Sequence, residues 1–384
     1  MNEYGSPTAS QQNIHGIQIR VTNQHESDVA RQTVKSTLQT LRLENDVKDS
    51  NGTMFEGYMQ WTLKQDYIQS VMPELNTIDL SERLGLQPHS NPIDLYREIW
   101  LAMLANPTPW IYPSVDELIS AIRVRTFIVD AASKTALNFN ASEAERPNDC
   151  WTYHENTSFT VLPGSPLIEA LIKATQPGPD GTVYSFSCYR ATEYVQLLAL
   201  AQEAQISNPA LLAAMQQQWE TRAVMSGKFH DVFLKEVGTM EDPLPIRYYI
   251  PGDRIWFRNP DDPSSDVAGF EGSWVLYLGG GLFPNFWRRN KPFTLESKCV
   301  DVYHWRNSTF RDTNGELQMN ESRVSELLDQ TMTQPAEVAK IMRRMYRLRD
   351  PKGVYENGGC MDTSREFLRW VRPSTCDIIM PGYY

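Results

Sequence analysis

Basic charge is in short supply in this chain. Lys and Arg number 36 against 47 Asp and Glu, a net charge of −11. A nucleic-acid partner needs a basic face, so none is expected. Cysteine is also scarce: there are 5, at irregular spacings and with no C-x-x-C pair. That excludes a zinc ribbon or a disulfide framework and favours a reducing compartment, although one or two disulfides stay open. No apolar run reaches the roughly 18–20 residues of a membrane span. The N-terminus lacks the basic-then-apolar layout of a secretory signal. A cytoplasmic protein without membrane partners is the expectation.

What is present is globular in character. The 384 residues are 41% hydrophobic and 11% aromatic, enough for a sizeable core and for two or three domains. Residues 1–50 are polar and read as a loose arm that buries too little apolar area to offset its ordering entropy, with a short strand possible at Ile17–Val21. Residues 51–106 show helical periodicity, strongest from Ile93 to Leu104, and read as a helical extension. Residues 107–350 form the main domain, and 351–384 an irregular tail.

Within the main domain, Ser114 and Glu117 form a capping-box signature ahead of a helix that ends near Asn138. Arg123 and Arg125 flank its core face and are expected to be solvated unless acidic neighbours pair with them. Two short strands follow around Trp151 and Phe159, then a helix begun by Ser165-Pro166. Further on, Ile246–Ile250, Arg254–Phe257, Ser273–Leu278 and Leu282–Trp287 read as strands of an antiparallel meander, with a fifth possible at Cys299–Trp305. Gly279-Gly-Gly281 lacks a strand-to-helix setting and reads as a hairpin turn, not a phosphate cradle.

The most informative stretch is Gly181-Thr-Val-Tyr-Ser-Phe-Ser-Cys188-Tyr-Arg-Ala-Thr. A turn and an aromatic run lead into an apolar helical pattern that begins at the cysteine. Unsatisfied amides and the positive end of the dipole at a helix start favour a thiolate. Burial as a small hydrophobe is the commoner fate of a free cysteine. A helix-borne cysteine ahead of an antiparallel sheet is an α+β layout shared by papain-like peptidases and transglutaminases, in which the base sits on the sheet.

The chain resembles the small bacterial spore-coat protein-glutamine gamma-glutamyltransferases from about Pro107 to Leu348. Four stretches carry the likeness: Val115–Arg125 with Val129–Lys134, Tyr184–Thr192, Pro251–Pro260 and Phe270–Gly279. The resemblance implies a papain-like, transglutaminase-like fold. It makes Cys188 the nucleophile that attacks the carboxamide of a protein glutamine. Ammonia leaves, and a lysine or other amine resolves the thioester into an isopeptide bond, with no metal or organic cofactor. Protein substrates are the implied partners.

The chain departs from the family where acid–base chemistry is expected. Ser187 stands for a glutamate before the cysteine, Ser273 for a second glutamate on the third strand, and Asn285 near the family's histidine. A serine hydroxyl is not basic near neutral pH. Glu271 lies two residues before Ser273, hence on the same strand face, and is one substitute base. His304, with Asp301 to orient it, is a second, and His154 a third. The alternative is a non-catalytic descendant that keeps the fold for binding or structural work.

Overall fold

The computed structural model describes residues 14–49, 57–140, 143–350, 352 and 357–382. The first 13 residues of the expected arm, and Met54 and Phe55 at the head of the expected extension, lie outside them. The fold is a mixture of helices and small sheets, the largest of four strands.

The N-terminal region is more ordered than its polarity suggests. Ile17–Arg20 is a strand, and Gln24–Thr40 is a helix with Asn23 as its cap. That helix is polar on most of its surface, yet Ala30, Val34 and Leu38 recur on one face and are buried. Three or four apolar residues at the right spacing anchor a helix whose composition reads as a flexible arm. Tyr58–Leu63, placed in a helical extension by the sequence, is a strand with alternating burial. It pairs antiparallel with Ile17–Arg20 and with Val47–Asp49, and Ile111–Tyr112 adds a parallel edge. Only the later part of the extension is helical, chiefly Pro92–Leu104.

The centre of the molecule is the Cys188–Ser207 helix, buried on nearly every side from Ala191 to Ala201. Small and apolar residues all round a helix mark it as interior. It packs against Val115–Lys134, Leu167–Thr175 and Pro209–Thr221. Ser114 caps the Val115–Lys134 helix as its signature predicts, accepting from the Glu117 N–H at 3.1 Å. The Glu117 carboxylate does not complete a capping box. It is buried and accepts from the backbone N–H groups of Val371 and Arg372, both at 2.9 Å, and from Thr375 Oγ1 at 2.5 Å. Arg123 and Arg125 are paired, not solvated: Arg123 makes a fork to Glu203 at 2.6 and 2.8 Å, and buried Arg125 reaches Asp253 at 2.7 Å.

The sheet facing the cysteine helix runs Gly272–Leu276, Arg254–Arg258, Arg365–Leu368, Leu234–Val237, all antiparallel. Two expected strands are missing from it. Ile246–Ile250 is irregular, and Leu282–Trp287 contributes only isolated bridges. The third strand comes instead from the segment read as an irregular tail. Arg365–Leu368 is buried at every residue, between two neighbours. The tail's prolines lie outside this run, so they do not prevent pairing. Gly279–Gly281 is the hairpin turn expected, with φ of +88°, +57° and +75°. A Cβ on Gly279 would meet the Glu98 carboxylate at 2.9 Å, so glycine is required there for close approach as well as for its φ.

The other face of the sheet, through Ile255, Phe257 and Val275, shares a second core with Leu295–Trp305, Glu321–Met332 and Pro335–Met345. Leu295–Trp305 is a helix where Cys299–Trp305 reads as a strand. Thr294 and Ser297 close a reciprocal capping box that starts it, and β-branched or aromatic residues at 300, 302, 303 and 305 mimic strand composition.

Candidate active site

Gly272–Leu276 is one of the two edge strands of the sheet, and its first residues face a space shared with the start of the cysteine helix and with Leu295–Trp305 and Glu321–Met332. A cavity of about 280 Å³ opens there, and Cys188, Ser273 and Asn285 line it together. The position read as the nucleophile and two of the three positions that depart from the family therefore share one space.

Ser187 is the N-cap of the cysteine helix, with extended backbone and its hydroxyl 3.4 Å from the Arg190 N–H. A serine here is a good cap but brings no carboxylate. Cys188 itself is half-buried. Burial pushes its thiol up. Four features pull the other way: the Trp274 backbone amide, the charges of Lys298 and Arg254, and the Tyr189 backbone amide. The desolvation argues for a neutral thiol at rest. The amides and cations show what would receive a thiolate once a proton acceptor is present.

Arg254 is held beneath the helix start. Its Nε donates to Thr192 Oγ1 at 2.9 Å, its Nη1 pairs with Glu366, and its guanidinium lies 3.8 Å from the Trp274 ring and 4.6 Å from that of Tyr189. Glu366 also binds His230 Nδ1 at 2.8 Å, which raises the His230 pKa and lowers its own despite burial. Arg190 pairs with Glu193 at 2.5 Å and Ser226 at 2.9 Å. Trp256 and Trp274 stack on each other, 6.1 Å between centroids, outside the cavity lining.

The substitute bases proposed from the sequence are not brought to the thiol. Glu271 is exposed just before the edge strand and does not line the cavity, although Phe270 and Gly272 on either side of it do. His304 is on a helix, not a neighbouring strand. It is buried, with Nε2 2.8 Å from Thr331 Oγ1 and Nδ1 3.1 Å from Asn307 Nδ2, and burial lowers its pKa. Its ring faces the Glu321–Met332 helix and not the thiol cavity. His154 is exposed on the Trp151–His154 strand, also away from the lining.

Four charged groups do line the cavity: Arg288, Lys298, Asp301 and Glu321. Asp301 is noted in the sequence only as a partner for His304. Lys298 and Glu321 carry no motif. The available signal is the spacing of three between Lys298 and Asp301, which places them on one face only if the segment is helical. Among the described residues, no three His, Cys, Asp or Glu side chains gather to hold a metal ion.

A cysteine at the start of a buried helix thus opens onto a cavity lined by charged side chains. The family profile described as protein-glutamine gamma-glutamyltransferase matches residues 75–365, and the chain belongs to that family. Its activity is acyl transfer from a protein glutamine to an amine, on protein substrates. The match begins inside the segment read as an extension and ends inside that read as a tail, so it spans more than the resemblance seen in the sequence. A search of curated proteins found no match. Among solved structures, one similar chain is a transglutaminase from Geobacillus stearothermophilus without its C-terminal extension. It is 21% identical, covers 56% of this chain and 98% of that chain, and superposes with a TM-score of 0.39. Among the described residues no helix is long and apolar enough to cross a membrane.

Proposed function

We propose that Cys188 is the nucleophile of this glutamyl transfer, on a core of the papain-like kind. The observation that carries the reading is the thiol at the first turn of a buried helix, lining one cavity with Lys298. A glutamine carboxamide is a poor electrophile. Its acylation needs a thiolate, donors for the developing oxyanion and a proton for the departing ammonia. The Lys298 and Arg254 charges and the Tyr189 and Trp274 amides, which all favour the thiolate, serve the first need. The acyl donor is then a glutamine side chain of a protein, and the acceptor a lysine or another primary amine. No metal or organic cofactor enters this chemistry, and a partner with a nucleic-acid backbone does not suit the charge of −11. All five cysteines are free, which suits a reducing compartment such as the cytoplasm.

The loss of the family's carboxylates at Ser187 and Ser273 is the argument for a non-catalytic descendant, but the cavity holds other charged groups and the comparisons lend that reading no support. The test is incorporation of a fluorescent primary amine into casein by the purified protein, with Cys188→Ala beside it. Incorporation that disappears in the variant is expected. Equal signal from both proteins, or none from either, would end the reading.

A further inference from the structure

The cavity lacks the family's carboxylates, yet it does not lack charge. Lys298 and Asp301 enter it from the Leu295–Trp305 helix, and Glu321 from the first position of Glu321–Met332. Lys298 is buried, and its Nζ donates to Asp301 Oδ2 at 2.9 Å. The same ammonium lies 4.6 Å from the Phe293 ring centre and 5.8 Å from that of Trp305. A cation held between a carboxylate and two aromatic faces is fixed in place. Its charge acts on the Cys188 thiol, favouring the thiolate.

Glu321 has a different character. Its outer side meets solvent, while its inner side borders the cavity. Burial, then the negative charge of Asp301, pushes its carboxyl up to about 6. The remaining charges on this side of the cavity are accounted for. Arg288 bonds Ser325 and Asp329, and Arg323 pairs with Glu326 on the same helix as Glu321. A carboxyl of this kind changes protonation close to neutral pH, as a proton carrier must.

We propose that Glu321 is the proton carrier of the acyl transfer and that Lys298, braced by Asp301, is the fixed cation that holds the Cys188 thiolate. The inference rests on the reading of Cys188 as nucleophile. In the first step the Cys188 proton moves to the Glu321 carboxylate, leaving a thiolate beside Lys298 and a neutral carboxylic acid. The thiolate attacks the glutamine carboxamide carbon, and a C–S bond forms while the carbonyl electrons move to oxygen. Those electrons return, the C–N bond breaks, and the nitrogen leaves as ammonia with the Glu321 proton. Glu321, again a carboxylate, takes a proton from an incoming alkylammonium. The freed amine attacks the thioester, a C–N bond forms, the C–S bond breaks and the thiolate returns. The surplus proton on the new amide nitrogen passes to the released ammonia in solution. Asp301 is a positioning residue in this scheme, acting through Lys298.

The experiment compares wild type, Glu321→Gln, Glu321→Ala and Lys298→Met between pH 5 and pH 9 by two readouts. One is amine incorporation into casein, and the other is the rate of Cys188 alkylation by iodoacetamide, mapped by mass spectrometry. Glu321→Gln is expected to lose on the order of 100-fold in incorporation, together with the limb of the pH profile near 6, while its alkylation rate at pH 9 matches wild type. Added formate restores part of the activity of Glu321→Ala, a response that a merely structural residue would not give. Lys298→Met moves the midpoint of alkylation to higher pH. An active, Cys188-dependent wild type with Glu321→Gln at full rate and an unchanged profile overturns this proposal alone. An unmoved alkylation midpoint in Lys298→Met overturns the role of the cation. A wild type without Cys188-dependent activity removes the nucleophile reading and this one with it.

Discussion

Glu98 offers a stability change that can be worked through from its surroundings. It is fully buried on the Pro92–Leu104 helix, beneath the Gly279–Gly281 turn. Its carboxylate oxygens accept from Ser81 Oγ at 2.7 Å, Tyr277 Oη at 3.1 Å and the Gly280 N–H at 2.9 and 3.0 Å. Burial outweighs these donors and pushes the group up to about 7 from an ordinary 4.5. Below pH 4.5 the residue is protonated folded and unfolded alike, and it costs nothing. Between pH 4.5 and 7 the unfolded chain releases the proton while the folded one keeps it, so stability falls as pH rises. Above pH 7 the full cost applies, on the order of 3 kcal/mol for a shift of this size. Glu98→Gln cannot ionise. Its amide oxygen still accepts from Gly280, and its NH2 donates to the hydroxyl oxygen of Ser81 or Tyr277 once those groups rotate. Urea unfolding at pH 4 and pH 8.5 therefore gives a pH-dependent loss in wild type that exceeds that of Glu98→Gln by about 3 kcal/mol. Equal losses in the two proteins would show that Glu98 is ionised at little cost and refute the reasoning.

Two further outcomes follow from buried charge. Glu117→Ala leaves the Val371 and Arg372 amides without their acceptor, at about 1–3 kcal/mol each if unsatisfied, and limited proteolysis should then cut first near residues 371–376; an unchanged cleavage pattern would mean that the tail is held elsewhere. Glu366→Ala strands the buried Arg254 charge and costs about 3–5 kcal/mol in thermal or urea unfolding, whereas a loss below about 1 kcal/mol would show the pair to be dispensable.

The parts of the fold legible in the sequence are those fixed by local chemistry. The Ser114 cap, the Gly279–Gly281 turn and the apolar helical pattern after Cys188 each specify their own conformation, and each is found as expected. The parts that were not legible depend on distant partners. Arg365–Leu368 is a strand because Leu234–Val237 and Arg254–Arg258 lie on either side of it, which its own four residues do not announce. Leu295–Trp305 has a strand-like composition and is decided by its capping box and by packing. That one misreading hid the site's charge. A strand over Cys299–Trp305 leaves Lys298 outside it, while the Leu295–Trp305 helix joins Lys298 to Asp301. It also put His304 within apparent reach of a thiol that its ring does not face. Glu321 carries no local signature at all, since only the tertiary fold makes it line the same cavity as Cys188.

The placement of Arg365–Leu368 inside the sheet has a consequence for synthesis on the ribosome. Arg258 and Leu368 are separated by more than a hundred residues, so at ~5–20 residues per second the sheet waits roughly 5–20 s for its third strand. Throughout that interval Arg254–Arg258 has one backbone edge unpaired and Leu234–Val237 has both, edges of the sort that neighbouring chains can join. Arg254 has no Glu366 beside it in the nascent chain, so the support under Cys188 is assembled last. A chain able to link proteins to one another thus acquires that support only near the end of its own translation.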